Sequence, residues 1–166
     1  FQRTKKEGGR IGEYIGDFVL ASRLMKDTGV PVMEVNFSCP NEGTNELLCY
    51  NADRSEEVVK AIKNEIKDIP LIVKISYYKD EETLRRFIRK VGPLVQGVAA
   101  INTIYAEIVG KDGGEALPGR SWSGVCGAAI KEAGLGMVKR LKKLREEFGL
   151  GYTIIGVGGV MEPKDF

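Results

Sequence analysis

The chain has 166 residues, 43% hydrophobic and 29% charged, and its 25 basic and 23 acidic side chains leave a formal charge of +2. That size and balance suit one ordinary α/β domain, and they give no support to a nucleic-acid or membrane partner. Three widely spaced cysteines and no apolar run near the roughly 18 residues of a spanning helix predict a reducing, cytoplasmic setting without disulfides. Histidine is absent, which removes the commonest general base and metal ligand and leaves acid–base work to Cys, Lys, Asp, Glu or Tyr.

In chain order, helical spacing of Ile11, Ile15, Phe18, Ser22 and Met25 predicts a first helix closed at Thr28-Gly29, and a strand follows over 32–36. After a polar loop, Asp53 reads as an N-cap with Glu56 three residues on, opening a helix with Val58, Val59, Ile62 and Ile66 inward. Pro70 ends it, and Leu71-Ile72-Val73-Lys74-Ile75 reads as a strand buried except at its end. A third helix over 80–91 turns Leu84, Phe87, Ile88 and Val91 inward. An apolar strand over 97–102 then closes in polar residues. A Gly-rich loop over 105–127 leads to a fourth helix with Met137, Leu141, Leu144 and Phe148 on one side. The last strand covers 152–157, and Gly158-Gly159 turns the chain toward a further helix.

Helices alternating with apolar strands mean βα units on a parallel sheet. Asn36, Lys74, Asn102 and Gly158 each fall at or just beyond the end of a strand. In barrels and open α/β sheets, that edge is where chemistry collects.

The densest signal is Glu34-Val35-Asn36-Phe37-Ser38-Cys39-Pro40-Asn41, where an apolar strand breaks into amides, a hydroxyl and a thiol. Pro40 fixes its own φ and pushes Cys39 toward extended backbone, so a stiffened turn presents the thiol. The ordinary alternative is a strand-to-loop turn with Cys39 as a small buried filler. Lys74 has its own alternative, a snorkelling lysine at a strand end, and Asn102 could be a turn asparagine. Ile155-Gly156-Val157-Gly158-Gly159-Val160 can bring bare N–H groups to a phosphate, but it lacks the third glycine of the dinucleotide fingerprint. Cys39 and Cys49, ten apart and without a Cys-x-x-Cys, do not read as a metal site. The basic run Lys139, Arg140, Lys142, Lys143 and Arg145 reads as an exposed helical face.

The octapeptide resembles the strand-four motif of the dihydroorotate dehydrogenase superfamily, FMN enzymes built on a (β/α)8 TIM barrel, in its class-one, cysteine-base form. Dihydropyrimidine dehydrogenase shares the Asn-x-Ser-Cys-Pro core. Ser123-Gly124-Val125-Cys126-Gly127-Ala128-Ala129-Ile130-Lys131 resembles the family's Gly-Gly-Leu-Ser-Gly-x-x-Ile-Lys segment and departs from it at Ser123 and Cys126. The resemblance implies that Cys39 is the base that removes a proton from carbon 5 of dihydroorotate while a hydride leaves carbon 6 for the flavin, in pyrimidine biosynthesis. Thiols ionise close enough to neutral pH for such work where a cation or backbone dipoles favour the thiolate. It also implies that Asn36, Asn41, Asn102 and Thr103 bind a dihydroorotate-like substrate. The resemblance further implies that Lys74 contacts the flavin edge and that Gly124, Gly127, Gly158 and Gly159 lie against the cofactor. An amide offers both donor and acceptor, which suits a pyrimidine edge.

A closed eight-stranded barrel takes about 250 residues, so four strands in 166 residues read as half a barrel, strands four to seven. Such a half needs its sheet edges covered, by a homo-oligomer or by the missing half. Two other readings stay open. The chain could be a non-catalytic half-barrel that serves as an assembly module. It could also be a phosphate-binding barrel in which Lys74 forms a Schiff base.

Overall fold

A computed structural model describes residues 11–39 and 47–165. Strands and helices alternate in the order α1 (Ile11–Asp27), β1 (Met33–Asn36), α2 (Ala52–Ile66), β2 (Leu71–Ile75), α3 (Glu81–Val91) and β3 (Gly97–Ala100). They continue with β4 (Ile104–Glu107), β5 (Trp122–Val125), α4 (Lys131–Glu147) and β6 (Thr153–Gly156). β1, β2, β3 and β6 form one parallel sheet in that order, with β1 and β6 at its edges among the described residues.

Register divides the sheet into two faces. Val35, Val73, Val98 and Ile154 stand side by side, and Asn36, Lys74, Ala99 and Ile155 form the next row. Because side chains alternate along a strand, neighbouring rows face opposite ways. The valine row joins a core with Phe18, Ile62, Leu84, Phe87 and Met137 from the helices. Each such fully buried side chain contributes about 1.5–3 kcal/mol. The Asn36 row, with Glu34, Ile72, Gly97 and Thr153 one step earlier, lies on the opposite face, where Glu34 and Thr153 are exposed. All the predicted core strands and helices are present; β2 keeps its expected bounds, and β1, β3 and β6 are shorter by one or two residues.

Three expectations change. α2 is capped by Asn51, whose side chain accepts from the Arg54 amide at 3.1 Å, and not by Asp53. The helix begins at Ala52, so Asp53 already lies in its first turn, where it pairs with Arg86 and Lys90 on α3. The Gly-rich segment over 105–127 is not all loop: β4 and β5 pair antiparallel as a separate hairpin, with Tyr105 opposite Gly124 and its ring 5.6 Å from that of Trp122. Beyond Gly159, the expected helix is a single 3-10 turn, Pro163–Asp165, within the described residues.

Candidate functional site

The site is built where the strands of the parallel sheet end. Past β1 the chain stays on the sheet for one more residue, as Phe37 N–H donates to the Lys74 carbonyl at 3.0 Å. It then turns around the Asn36 side chain, whose Oδ1 accepts from Ser38 N at 3.0 Å and from Ser38 Oγ at 2.8 Å. A short polar side chain that accepts from the backbone two residues on is what makes asparagine a turn former. Ser38 and Cys39 are 2% and 8% exposed, so this polar turn is almost wholly enclosed.

Asn102 completes the set from the far side of β2. Its own N–H donates to the Ile75 carbonyl at 3.0 Å, which seats the chain leaving β3 on the end of β2. Its Nδ2 then donates to Ser38 Oγ at 2.8 Å, to the Ser38 carbonyl at 3.1 Å and, at 3.5 Å, to Asn36 Oδ1. Its Oδ1 accepts from Thr103 N at 2.8 Å. β1 and β3 are not sheet neighbours, so these bonds arch over the end of the strand between them.

Lys74 is the register partner of Asn36 and shares its face. It is half-buried, and among the described residues its ammonium makes no ion pair or hydrogen bond. On the other side, a Cβ at Gly124 would lie 2.7 Å from Thr103 Oγ1, so glycine lets β5 cross that hydroxyl. Gly127 starts the turn into α4, and the turn after β6, Gly158-Gly159, abuts it. A Cβ at Gly159 would lie 3.0 Å from the Gly127 carbonyl oxygen. Lys131 pairs with Asp165 across this junction. That ion pair, with amides of Met161 and Glu162 donating to the same carboxylate, lowers Asp165 to about 2. Ile101 N–H to Val157 O at 3.0 Å and Val157 N–H to Ala100 O at 2.6 Å join the two strand exits.

The expected residues therefore fall into two adjoining groups. Asn36, Cys39 and Asn102 gather around Ser38, with Lys74 and Thr103 beside them and Gly124 packed on Thr103. Gly127, Gly158 and Gly159 form the turn next to them. Asn41 lies outside the described residues. Sequence reasoning did not single out Ser38, because its role depends on a partner 64 positions away.

Outside the strand ends lies an open cleft of about 1330 Å³, whose lining includes Ser38, Tyr77, Thr103, Arg120 and Trp122. The hairpin supplies one wall. The nearby tyrosines serve the scaffold: Tyr50 OH donates to the Tyr77 carbonyl at 2.7 Å, Tyr78 OH donates to the Cys49 carbonyl, and the Tyr50 and Tyr78 rings meet edge to face at 5.1 Å. Burial raises both phenols, Tyr78 well above its ordinary value. Neither is thus a base near neutral pH. Cys49 is fully buried and Cys126 exposed, so Cys39 is the thiol among the strand-end amides. No cluster of three or more metal-ligating side chains occurs among the described residues.

The family model for dihydroorotate dehydrogenase matches residues 3–166. Dihydroorotate dehydrogenase of Dictyostelium discoideum is 34% identical over 160 residues, covering 93% of this chain and 43% of that protein. The catalytic subunit of dihydroorotate dehydrogenase B (NAD(+)) of Desulforamulus reducens is 30% identical over 159 residues, 95% of this chain and 49% of that one. The crystal structure of DHODH in complex with ferulenol from Eimeria tenella superposes with a TM-score of 0.73 at 16% identity, over 91% of this chain and 44% of that chain, a likeness of fold. The chain spans less than half the length of these relatives. It belongs to the dihydroorotate dehydrogenase family.

Proposed function

For this member of the dihydroorotate dehydrogenase family, we propose that the chain is strands four to seven of an FMN-dependent barrel that oxidises dihydroorotate, or a related dihydropyrimidine, with Cys39 as base. The observation that supports this reading best is the hydrogen-bonded set of Asn36, Ser38 and Asn102 on the Cys39 turn, with Lys74 in register beside Asn36.

The residues present fit a flavin nucleotide. Lys74 is a cation without a protein counter-ion among the described residues, on the face of the sheet opposite the core. The Gly158-Gly159 turn, with positive φ at both positions, brings backbone without side chains to the end of β6, as a phosphate requires. FMN, when bound, supplies the acceptor for the hydride that leaves carbon 6. The chain's own part is to hold the substrate and move one proton. The Cys39 thiolate takes the proton from carbon 5 and becomes the thiol, while the electron pair of that C–H bond forms the ring double bond. Asn36, Asn41, Asn102 and Thr103 meet the alternating C=O and N–H groups of the pyrimidine and its carboxylate. Lys74 places fixed positive charge against the electron-accepting ring, where it need not reorganise during the reaction. The edges of β1 and β6 are then covered by the remaining barrel half or by a second copy. The NAD(+) in the names of several relatives makes an NAD-linked acceptor the first to test.

The test is to titrate the purified protein with FMN, following quenching of flavin fluorescence together with mass in solution. Binding followed by dihydroorotate oxidation supports the reading. Cys39→Ala should then lower turnover by about 10²-fold or more while keeping the flavin. A folded protein that does not quench flavin, or one that binds flavin and keeps its full turnover as Cys39→Ala, refutes it. The open edges of the sheet favour one second reading, a non-catalytic assembly module. Self-association without flavin quenching would select it.

A further inference from the structure

We infer that Ser38 is a positioning residue whose hydroxyl locks the amide orientations of both Asn36 and Asn102. This rests on the reading above only in assigning those amides to substrate.

The direction of the hydrogen bonds carries the argument. Asn102 Nδ2 can only donate and Asn36 Oδ1 can only accept, whereas a hydroxyl has one proton to give and lone pairs to receive. Placed 2.8 Å from each, Ser38 Oγ has a single consistent arrangement: it receives from Asn102 and gives to Asn36. A flipped Asn102 would set an acceptor against an oxygen whose proton is already committed and would forfeit the Thr103 amide held by Oδ1. A flipped Asn36 would set N–H groups against the Ser38 amide that now donates to Oδ1. Bonds in such a chain polarise and strengthen one another in a buried setting, and Ser38 is 2% exposed.

The same residue links the amides to the thiol. Asn102 Nδ2 also holds the Ser38 carbonyl at 3.1 Å, and that carbonyl belongs to the peptide leading into Cys39. Backbone N–H, carbonyl and hydroxyl of Ser38 are thus all engaged by Asn36 or Asn102. Alanine at this position keeps the two backbone contacts and removes only the bridge between the amides. Each amide is then held by one bond fewer, and no group couples the orientation of one to that of the other.

The experiment is a double-mutant cycle on the flavin-loaded protein: parent, Ser38→Ala, Asn102→Ala and the double variant, with Ser38→Thr as the hydroxyl-retaining control. Orotate affinity is read from its perturbation of the flavin spectrum, FMN affinity from fluorescence quenching, and ligand-free stability from thermal unfolding. Ser38→Ala should weaken orotate roughly tenfold, as expected for one or two lost hydrogen bonds, with FMN affinity changed less than about twofold. In the Asn102→Ala background, the same substitution should cost clearly less, about twofold to threefold, because only the bond to Asn36 is left to lose. Ser38→Thr should keep most of the affinity. Equal losses from Ser38→Ala with and without Asn102 would overturn the inference. If the parent binds flavin but no orotate, the proposed substrate falls and the unfolding cycle decides the role of Ser38. Non-additive midpoints support the lock, and additive ones reject it.

Discussion

Gly159→Ala should be one of the most damaging single-methyl additions in this protein, and the structure supplies its own control. Gly159 has φ +75, and Gly29, at the end of α1, has φ +77. The backbone strain of an alanine is therefore the same at both, about 1–2 kcal/mol for a left-handed conformation. The surroundings differ. Nothing lies within 4 Å of a Cβ at Gly29, whereas one at Gly159 would sit 2.5 Å from Lys131 Cβ and 2.8 Å from Lys131 Cα. Those atoms belong to the first residue of α4 and cannot swing aside as a side-chain tip could. Relieving the overlap means moving the turn or the helix, a packing cost of about 1–3 kcal/mol. Gly29→Ala should therefore lose about 1–2 kcal/mol and Gly159→Ala about 2–5 kcal/mol. The assay is urea unfolding followed by far-UV circular dichroism. The single tryptophan, Trp122, sits in the hairpin and would report that element in place of the core. Equal losses at the two positions would refute the reasoning, because they would show that the contact with α4 costs nothing. A Gly159→Ala protein of normal stability and undiminished FMN affinity would also remove this turn from the cofactor site.

Asn51→Ala should lower stability by about 1 kcal/mol through loss of the α2 cap. Asp53→Ala should cost less in the same unfolding assay, because it removes exposed ion pairs only; the reverse order would restore Asp53 as the cap. A third test uses pH. Hydrogen bonds from the Lys60 and Lys90 ammonium groups hold the Glu56 carboxyl down to about 2. A carboxylate lowered on folding stabilises above its unfolded pKa and loses that contribution as pH falls through the folded one. Unfolding midpoints should thus fall between about pH 5 and pH 2 in the parent and fall less in Glu56→Gln. Identical acid limbs would reject the assignment.

How much of this was legible in the sequence follows from the range of the interactions. The parallel strands were legible because Leu71, Val73 and Ile75 lie under helices on one face, while the other face is also largely covered, so the strand reads as an apolar run. α3 was legible because Asp80 caps it locally, accepting from Thr83 N at 2.7 Å. The α2 cap was missed by two residues, because Asn51 and Asp53 are both good cap residues and only the position of the first helical turn decides between them. The hairpin was missed because every residue of β4 and β5 is at least partly exposed, which leaves no strong apolar alternation, and β5 itself contains a glycine, Gly124. For the candidate site, the residue types at the strand ends could be read from the chain, but their bonding could not. Nothing local to Ser38 says that Asn102 will reach it.

That bonding bears on how one small sheet can carry both a fold and a reaction. The rows that hold the sheet to its helices, such as Val35, Val73 and Val98, are apolar and buried, and none of the candidate site residues belongs to them. Asn36 and Lys74 stand on the opposite face, and Ser38, Cys39, Asn102 and Thr103 lie beyond the strand ends. Polar groups placed there stay outside the apolar rows, and the buried ones, Ser38 above all, keep hydrogen-bond partners, so the fold tolerates them. Separation alone would leave the groups loosely held, because each hangs from a different strand. The bonds from Asn102 over the end of β2 supply what the core cannot, by tying the exit of β1 to the exit of β3 through Ser38. Substitutions in the valine row should therefore act on stability, whereas Ser38→Ala and Asn102→Ala should weaken binding by more than they weaken the fold.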